Sequence, residues 1–304
     1  MSSGTRSPYQ LEHPREILKR HGLTAKHSWG QNFLGDADAL EQITDALLLR
    51  PGEPVVELGP GLGHLTRFLA ATGAQVTAVE RDRDMVAVLE KEAIPGVKVV
   101  AGNAATVDFA QVAGVPEVAV AGNLPYHLTS SILFRVLEQR RTVKRAVFTL
   151  QKEVVVRLAA RPGGRDYGLL SVLLGLYFDA ENILTLEAER FHPPPKVDSA
   201  VLRLTRLPSP RAPVLDDVRF IRVVKAGFAQ RRKTLLNSLK SDRGLLPPEL
   251  LPEALAQAGL EPTRRAETLA PAEFAALERA MGTLAPEMGT TKVGQDTAPD
   301  EADE

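Results

Sequence analysis

The stretch Pro54-Val55-Val56-Glu57-Leu58-Gly59-Pro60-Gly61-Leu62-Gly63 is the most informative part of the sequence. A short apolar run ends in three closely spaced glycines, and residues 64–71 then show the apolar spacing of a helix. A strand, a glycine loop and a helix in this order are typical of the first unit of a nucleotide-binding α/β sheet. The stretch therefore predicts a parallel sheet with a ligand at the carboxyl ends of its strands.

Beyond this stretch, apolar runs alternate with helix-like segments. Further strands are predicted at 75–80, 97–101, 117–121, 144–150, 181–187 and 198–205, and helices at 36–48, 81–93 and 130–139. Because helical crossovers join parallel strands, this alternation predicts a Rossmann-like, doubly wound α/β sheet with a mixed edge.

The proline-rich stretch 208–213 predicts a domain boundary. We expect residues 1–207 to form the larger domain, in which residues 1–35 are an N-terminal segment. Residues 208–282 contain several short helix-like segments and predict a small all-helical C-terminal domain. Residues 283–304 are polar and acidic, so a disordered tail is expected there.

The composition is that of a soluble globular protein, with 44% hydrophobic and 25% charged residues in a chain of 304. No apolar run approaches the roughly 20 residues that cross a bilayer, and the N-terminus lacks the apolar core of a signal peptide. There is no cysteine, and the six histidines show no metal-ligand spacing, so no disulfide and no metal site are predicted. These features predict a cytoplasmic protein that does not contact a membrane.

The net charge of −1 is unevenly distributed along the chain. The last 18 residues carry six acids and one lysine, a charge of −5, which leaves +4 for the remainder. A mildly basic body with an acidic tail is compatible with nucleic-acid binding, although it does not require it.

The glycine loop argues against a dinucleotide ligand. Dinucleotide folds use Gly-x-Gly-x-x-Gly, whereas here a histidine follows the last of three alternating glycines. Glu57 would also repel a diphosphate. S-adenosylmethionine carries an ammonium group, a sulfonium and a ribose but no phosphate, and it therefore fits the loop better. Glu80, which ends the next strand 21 positions after Gly59, can accept both ribose hydroxyls.

A second informative stretch, Asn123-Leu124-Pro125-Tyr126, follows the strand predicted at 117–121. The amide oxygen of Asn123 can accept a hydrogen bond from an amino group. Pro125 lacks an N–H and favours an extended Leu124, whose carbonyl can then serve as a second acceptor. Tyr126 adds a flat face for stacking. Two acceptors and an aromatic face suit the exocyclic amine of a nucleobase.

Together with six further motifs, this stretch resembles the ribosomal RNA adenine N6-dimethyltransferases. The match spans about residues 26–240, and its motifs are residues 30–34, 57–63, 79–80, 102–104, 123–126, 191–199 and 228–235. The last two motifs and the helical C-terminal portion are more similar to the housekeeping small-subunit enzymes than to the resistance methylases of large-subunit RNA. The resemblance implies dimethylation of two adjacent adenosines in a hairpin near the 3′ end of 16S ribosomal RNA. It also implies a monomer that acts on an immature small ribosomal subunit, with S-adenosyl-L-methionine as its cofactor. By the same resemblance, residues 1–207 are the catalytic domain and their N-terminal segment, 1–35, closes over the cofactor.

The resemblance also implies which residues bind the cofactor, from its methionine end through the ribose to the adenine. These residues are Gln31, Asn32, Leu34, Gly59, Gly61, Glu80, Asn103, Ala104 and Asn123. An alternative for Asn32 is that it only orders a turn. Two positions depart from the family pattern: position 27 is usually lysine and is His27 here, and position 103 is usually aspartate and is Asn103 here.

For the target adenine, the resemblance assigns catalysis to Asn123, Leu124, Pro125 and Tyr126, with stacking on Tyr126. Phe191 is expected to cover the other face of the base, and the alternative is that Phe191 is a core aromatic. The helical domain is expected to bind RNA. Candidate phosphate contacts are Arg140, Arg141, Lys144, Arg145, Arg231, Arg232 and Lys233, although charge runs are often only solvated faces.

Two other functions stay open at this point. An adenine N6-methyltransferase for other RNA or for DNA would use the same chemistry, but the DNA enzymes usually have proline in place of Leu124. A non-enzymatic ribosome assembly factor would bind RNA without methyl transfer, and the intact stretch 123–126 argues against that interpretation.

Overall fold

The computed structural model describes residues 11–290. Its strands are β1 (Phe33–Leu34), β2 (Pro54–Leu58), β3 (Gln75–Glu80), β4 (Val97–Ala101), β5 (Val118–Asn123), β6 (Val143–Gln151), β7 (Phe178–Leu186), β8 (Phe191–His192) and β9 (Ser199–Arg206). Its helices are α1 (Pro14–Arg20), α2 (Ala37–Ala46), α3 (His64–Ala71), α4 (Arg83–Glu92), α5 (Phe109–Ala113), α6 (Thr129–Glu138), α7 (Lys152–Leu158), α8 (Leu169–Gly175), α9 (Asp217–Phe228), α10 (Leu235–Leu239), α11 (Leu251–Gln257) and α12 (Pro271–Leu284). The outer parts of the predicted N-terminal segment and of the acidic tail, 1–10 and 291–304, lie outside the described residues.

Seven strands form one sheet in the order β4-β3-β2-β5-β6-β9-β7. The strands from β4 to β6 are parallel, and β9 runs antiparallel to both of its neighbours, β6 and β7. The predicted doubly wound sheet with a mixed edge is therefore confirmed. A separate two-stranded ladder joins β1 to β8.

The two central parallel strands, β2 and β5, are mostly apolar and buried, as is typical of parallel strands with both faces covered. In β2, Val55, Val56 and Leu58 are fully buried, and so are residues 118–121 of β5. The helices α2 and α4 begin where the sequence places an aspartate. Asp36 and Asp82 each accept a backbone N–H of the first turn, which satisfies a donor that would otherwise lack a partner.

The sheet has a topological switch point between β2 and β5, because the chain continues from β2 to β3 on one side and later returns to β5 on the other. In open α/β sheets, ligands bind outside the carboxyl ends of the strands at this point. Since Glu57 pairs with Ala121, the glycine loop after β2 and the stretch that begins at Asn123 lie beside each other.

The described chain forms two compact units, residues 11–159 with 178–207, and residues 160–177 with 208–290. The predicted boundary at 207 is one of the points where the chain changes unit. Residues 160–177, however, were expected in the larger domain and belong instead with the C-terminal helices. The cause is apolar packing: α8 contacts α9 and α12 and buries Val172, Leu173 and Leu174. Within residues 11–290, no helix is long and apolar enough to span a bilayer.

Candidate active site

A cleft of about 860 Å³, open to solvent, lies outside the carboxyl ends of β2 and β5. Its lining includes the predicted residues Gln31, Asn32, Leu34, Gly59, Gly61, Glu80, Asn123, Leu124, Pro125 and Tyr126. A second cavity of about 800 Å³ shares Gly59 and Glu80 with the first and adds Asn103 and Ala104. The structure thus brings all the predicted cofactor residues together with the predicted catalytic stretch.

The glycines of the loop after β2 have different roles. Gly59 has a φ of +66°, and no atom lies within 4 Å of the position that a Cβ would take, so the loop leaves open space there. At Gly61, with a φ of +54°, a Cβ would lie 2.8 Å from the ring of Phe33. Gly59 therefore leaves room for a ligand, whereas Gly61 first of all makes room for the N-terminal segment.

Glu80 is fixed at the end of β3 by the backbone. Its Oε2 accepts the N–H of Gly61 at 3.0 Å, and its Oε1 accepts the N–H of Asp82 at 2.8 Å. Burial raises the pKa of Glu80, and these backbone N–H groups act in the opposite direction. Each carboxylate oxygen can accept more than one hydrogen bond, so the side chain can still receive ribose hydroxyls.

Glu57 lies in β2, two residues before Gly59, and lines the same cleft. Its side chain is 1% exposed, and Oε2 has no hydrogen-bond partner among the described residues. Burial raises the pKa of Glu57 to about 8. A buried carboxyl oxygen without a partner is costly, and a ligand with a positively charged N–H donor would relieve that cost. The residues present therefore fit the ammonium group of S-adenosylmethionine.

The N-terminal segment is fastened to the start of α4 by three side chains, Lys26, Gln31 and Asp82, which we name the Asp82 latch. Lys26 Nζ and Gln31 Nε2 each lie 2.7 Å from a different oxygen of Asp82, and Gln31 Oε1 accepts the N–H of Lys26 at 2.9 Å. Both ends of the Gln31 amide are thus bonded within the protein. Its predicted contact with the methionine end of the cofactor stays a prediction.

Asn123 has an amide whose orientation is set by the N-terminal segment. Its Nδ2 donates to the carbonyl of Asn32 at 2.8 Å. Because a carbonyl can only accept, the atom that faces it must be the nitrogen, and Oδ1 is left as the acceptor for a ligand. The side chain of Asn32 donates to the carbonyl of Gly30 at 3.2 Å, in agreement with the turn-ordering alternative for that residue.

The rest of the catalytic stretch is also fixed. The N–H of Leu124 donates to the carbonyl of Thr149 at 3.2 Å, and Pro125 has a φ of −57° and a ψ of 129°. Tyr126 is half-buried, and its hydroxyl lies 2.8 Å from Oγ of Ser199. Burial raises the pKa of Tyr126, which keeps the phenol neutral. Sequence reasoning included Ser199 in a motif but gave it no role.

The structure contradicts the prediction that Phe191 covers the second face of the target base. It pairs with Leu34 in the β1–β8 ladder, is 4% exposed and belongs to a core cluster with Leu40, Ile43 and Phe68. A ring that the core covers in this way is not available to stack on a base. The core-aromatic alternative therefore describes this residue.

The two predicted basic groups lie in different places. Arg140, Arg141, Lys144 and Arg145 are at the amino end of β6. Thr149, the partner of Asn123, is four residues beyond Arg145, which is about 13 Å further along that strand at a rise of about 3.3 Å per residue. Lys144 and Arg145 also pair with Glu53. The structure does not bring this group to the cleft.

By contrast, Arg231, Arg232 and Lys233 are exposed between α9 and α10, and none of them pairs with an acid within residues 11–290. Arg231 donates to the carbonyl of Arg165, and a cavity of the helical unit is lined by Arg165, Arg231, Arg232 and Arg265 together with two acids, Asp166 and Glu267. This concentration of guanidinium groups is suited to phosphate.

A family profile described as "Ribosomal RNA adenine dimethylase" matches residues 22–280. The chain belongs to the ribosomal RNA adenine dimethylase family. The resemblance seen in the motifs is confirmed, and with it the methyltransferase class and S-adenosylmethionine as the cofactor.

Two relatives are named "Ribosomal RNA small subunit methyltransferase A". The protein from Myxococcus xanthus (strain DK1622) is 78% identical over 92% of this chain and 99% of its own length. That from Geobacter metallireducens is 44% identical over 88% of this chain and 99% of its own length.

Solved structures agree with the fold of this family. The 23S rRNA methyltransferase ErmE is 31% identical, with a TM-score of 0.62 over 82% of this chain and 99% of that one. A dimethyladenosine transferase from Plasmodium falciparum is 24% identical, with a TM-score of 0.67 over 81% and 95%. The predicted combination of a methyltransferase sheet with C-terminal helices is confirmed.

Proposed function

We propose that this protein uses S-adenosylmethionine to dimethylate N6 of two adjacent adenosines in a hairpin near the 3′ end of 16S ribosomal RNA, during biogenesis of the small subunit. The identity of 78% to a small subunit methyltransferase A supports the substrate. The observation that carries the reaction is the Asn123 amide, which lies beside the cofactor cleft with its oxygen free to accept.

The chemical task is to make a poor nucleophile react. The lone pair of an adenine N6 is delocalised into the ring. Asn123 Oδ1 and the Leu124 carbonyl accept its two hydrogens, which favours a pyramidal nitrogen with a localised lone pair. S-adenosylmethionine supplies an electrophilic methyl group. The protein thus contributes orientation and complementarity to the transition state. No side chain acts as a strong base, since the methylated nitrogen is acidic and releases its proton to solvent.

The target adenine reaches the cleft only after it has left the RNA stack. Proteins that act on bases accept such a base between aromatic or apolar side chains. Tyr126, half-buried beside Asn123, provides one face. Because Phe191 is in the core, the second face must come from another group.

The helical unit supplies RNA affinity in this proposal. Arg231, Arg232 and Lys233 meet the phosphates, and Arg165 and Arg265 line the same cavity as the two arginines. We further propose that the protein acts as a monomer on an immature small subunit. We place it in the cytoplasm, since ribosomal RNA is assembled into the small subunit there.

The test is methyl transfer by the purified protein to small subunits that lack these methyl groups, with matched free RNA and DNA hairpins alongside. Mass spectrometry of nuclease fragments is expected to show N6,N6-dimethyladenosine at two adjacent positions of the subunit RNA. Transfer only to DNA would replace the proposal with a DNA methyltransferase, and RNA binding without any transfer would replace it with an assembly factor.

A further inference from the structure

Ser199 is a polar residue in an apolar position. It is the first residue of β9, is fully buried, and is followed by the fully buried residues 200–202. Its hydroxyl oxygen lies 2.8 Å from the hydroxyl of Tyr126, and this is its one side-chain hydrogen bond within the described residues. Because a buried hydroxyl is costly without a partner, the two hydroxyl groups satisfy each other.

This hydrogen bond fixes the far end of an aromatic ring whose near end is already fixed. At the near end, Pro125 sets the backbone, and its carbonyl accepts the N–H of Leu128 at 3.0 Å. At the far end, Ser199 is immobile because it pairs with Gln151 of β6 and Leu186 of β7. The Tyr126 ring is therefore anchored between the catalytic turn and the sheet.

We propose that Ser199 is a positioning residue for methyl transfer, which holds in one position the far end of the Tyr126 ring, against which the target adenine stacks. The inference rests on the proposed function, in which Tyr126 receives the base. A ring that is already ordered loses less rotamer freedom when the base arrives. It also places N6 at Asn123 with less positional error, to which transfer rates are sensitive.

The test is a double-mutant cycle with Tyr126→Phe, Ser199→Ala and the double variant, measured as single-turnover transfer of the first methyl group. Each single change removes the same hydrogen bond, so each is expected to slow transfer about 3–10-fold, the scale of one hydrogen bond. The double variant should be no slower than the slower single variant. Calorimetry should show cofactor affinity within about twofold of wild type for all three, because the bond lies on the target side.

Thr44→Val is the matched control. It removes another buried hydroxyl, whose bond to the carbonyl of Leu40 at 2.8 Å stays within α2, and it should transfer at the wild-type rate. Losses that multiply in the double variant, or an unchanged rate for Tyr126→Phe, would overturn the role of Ser199.

A second readout separates this inference from the proposed function. The chain has four tyrosines, so selective labelling allows NMR to measure rotamer averaging of the Tyr126 side chain without any RNA. The side chain is expected to hold one χ1 rotamer in the wild type and to show more averaging in Ser199→Ala, and equal averaging would overturn the inference. Failure of the wild type to methylate ribosomal RNA would instead overturn the proposed function.

Discussion

Glu57 is the residue of the site with the clearest expected pH dependence. Its folded-state pKa of about 8 lies above its ordinary value of 4.5. Between these values the folded protein binds a proton that the unfolded chain has released, so stability falls as the pH rises through this window. We expect Glu57→Gln to flatten this fall, which amounts to at most about 1.4 kcal/mol for each pH unit in the wild type. Urea unfolding of both proteins from pH 5 to pH 8 is the measurement, and parallel curves would contradict the burial argument.

Asn103 is the residue at which this chain departs from the family pattern in the cofactor site. Its Oδ1 accepts the N–H of Ala105 at 2.9 Å, so one of the two lone pairs of its single acceptor oxygen is in use and the other is left for the adenine amine. An aspartate would offer a second, charged oxygen to the adenine amine of the cofactor. Asn103→Asp should therefore tighten S-adenosylmethionine by roughly 0.5–1.5 kcal/mol, and Asn103→Ala should weaken it. Calorimetry on the three proteins decides the matter, and equal affinity of alanine and asparagine would show that the side chain does not contact the adenine.

Among the elements, the N-terminal segment connects the Asp82 latch to the amide of Asn123. The Asp82 latch fixes residues 26–31, and the next residue supplies the carbonyl that orients Asn123. Gln31→Leu removes both amide bonds at similar size. We expect the rate of methyl transfer to fall on the order of tenfold, a barrier increase of about 1.4 kcal/mol, by more than cofactor affinity falls.

The control for this prediction is Gln42→Leu, which removes an exposed glutamine that donates to the carbonyl of Asp38 within α2. Its rate and affinity should match those of the wild type. A Gln31→Leu protein that binds the cofactor weakly but transfers at the normal rate would show that the segment only covers the cofactor.

The elements that the sequence predicts well are those whose signals are local. Glu80 and Asn123 end strands, and the carboxyl ends of parallel strands meet at one edge of the sheet, so their proximity follows from the alternation of strands and helices. The orienting contacts do not follow in this way. Asn32 and Asn123 are 91 positions apart, and Tyr126 and Ser199 are 73 apart. No local pattern encodes such distant pairs.

The lack of local signals for distant contacts also explains the two predictions that the structure contradicts, for Phe191 and for residues 160–177. The pairing of β1 with β8 takes Phe191 into the core, and nothing local indicates that pairing. The position of β9 between β6 and β7 likewise depends on the whole sheet. Residues 160–177 have ordinary helical periodicity, which specifies an apolar face without specifying the unit that this face packs against.

Two basic groups of the molecule are candidates for contacts with the RNA backbone: residues 140–145 and residues 231–233. Replacement of Arg231, Arg232 and Lys233 by alanine should weaken RNA binding and reduce the slope of log affinity against log salt by up to about 0.7–0.9 for each phosphate that the variant no longer neutralises. The control replaces Arg140, Arg141 and Lys144, which lie at the opposite edge of the sheet from the cleft. Titrations at several salt concentrations give both slopes. A flatter slope in the control set alone would place the phosphate-binding residues at the amino end of β6.

In the proposed function, the Asn123 amide, oriented by Asn32, directs the methylation of small-subunit RNA. The most direct measurement is mass spectrometry of this RNA from cells that carry the gene, lack it, or carry only the Asn123→Ala form. We predict two adjacent N6,N6-dimethyladenosines that disappear with the gene, return with the wild type and do not return with Asn123→Ala. Dimethyladenosine that persists without the gene would contradict the proposed function. Dimethyladenosine that returns in full with Asn123→Ala would contradict the role of Asn123.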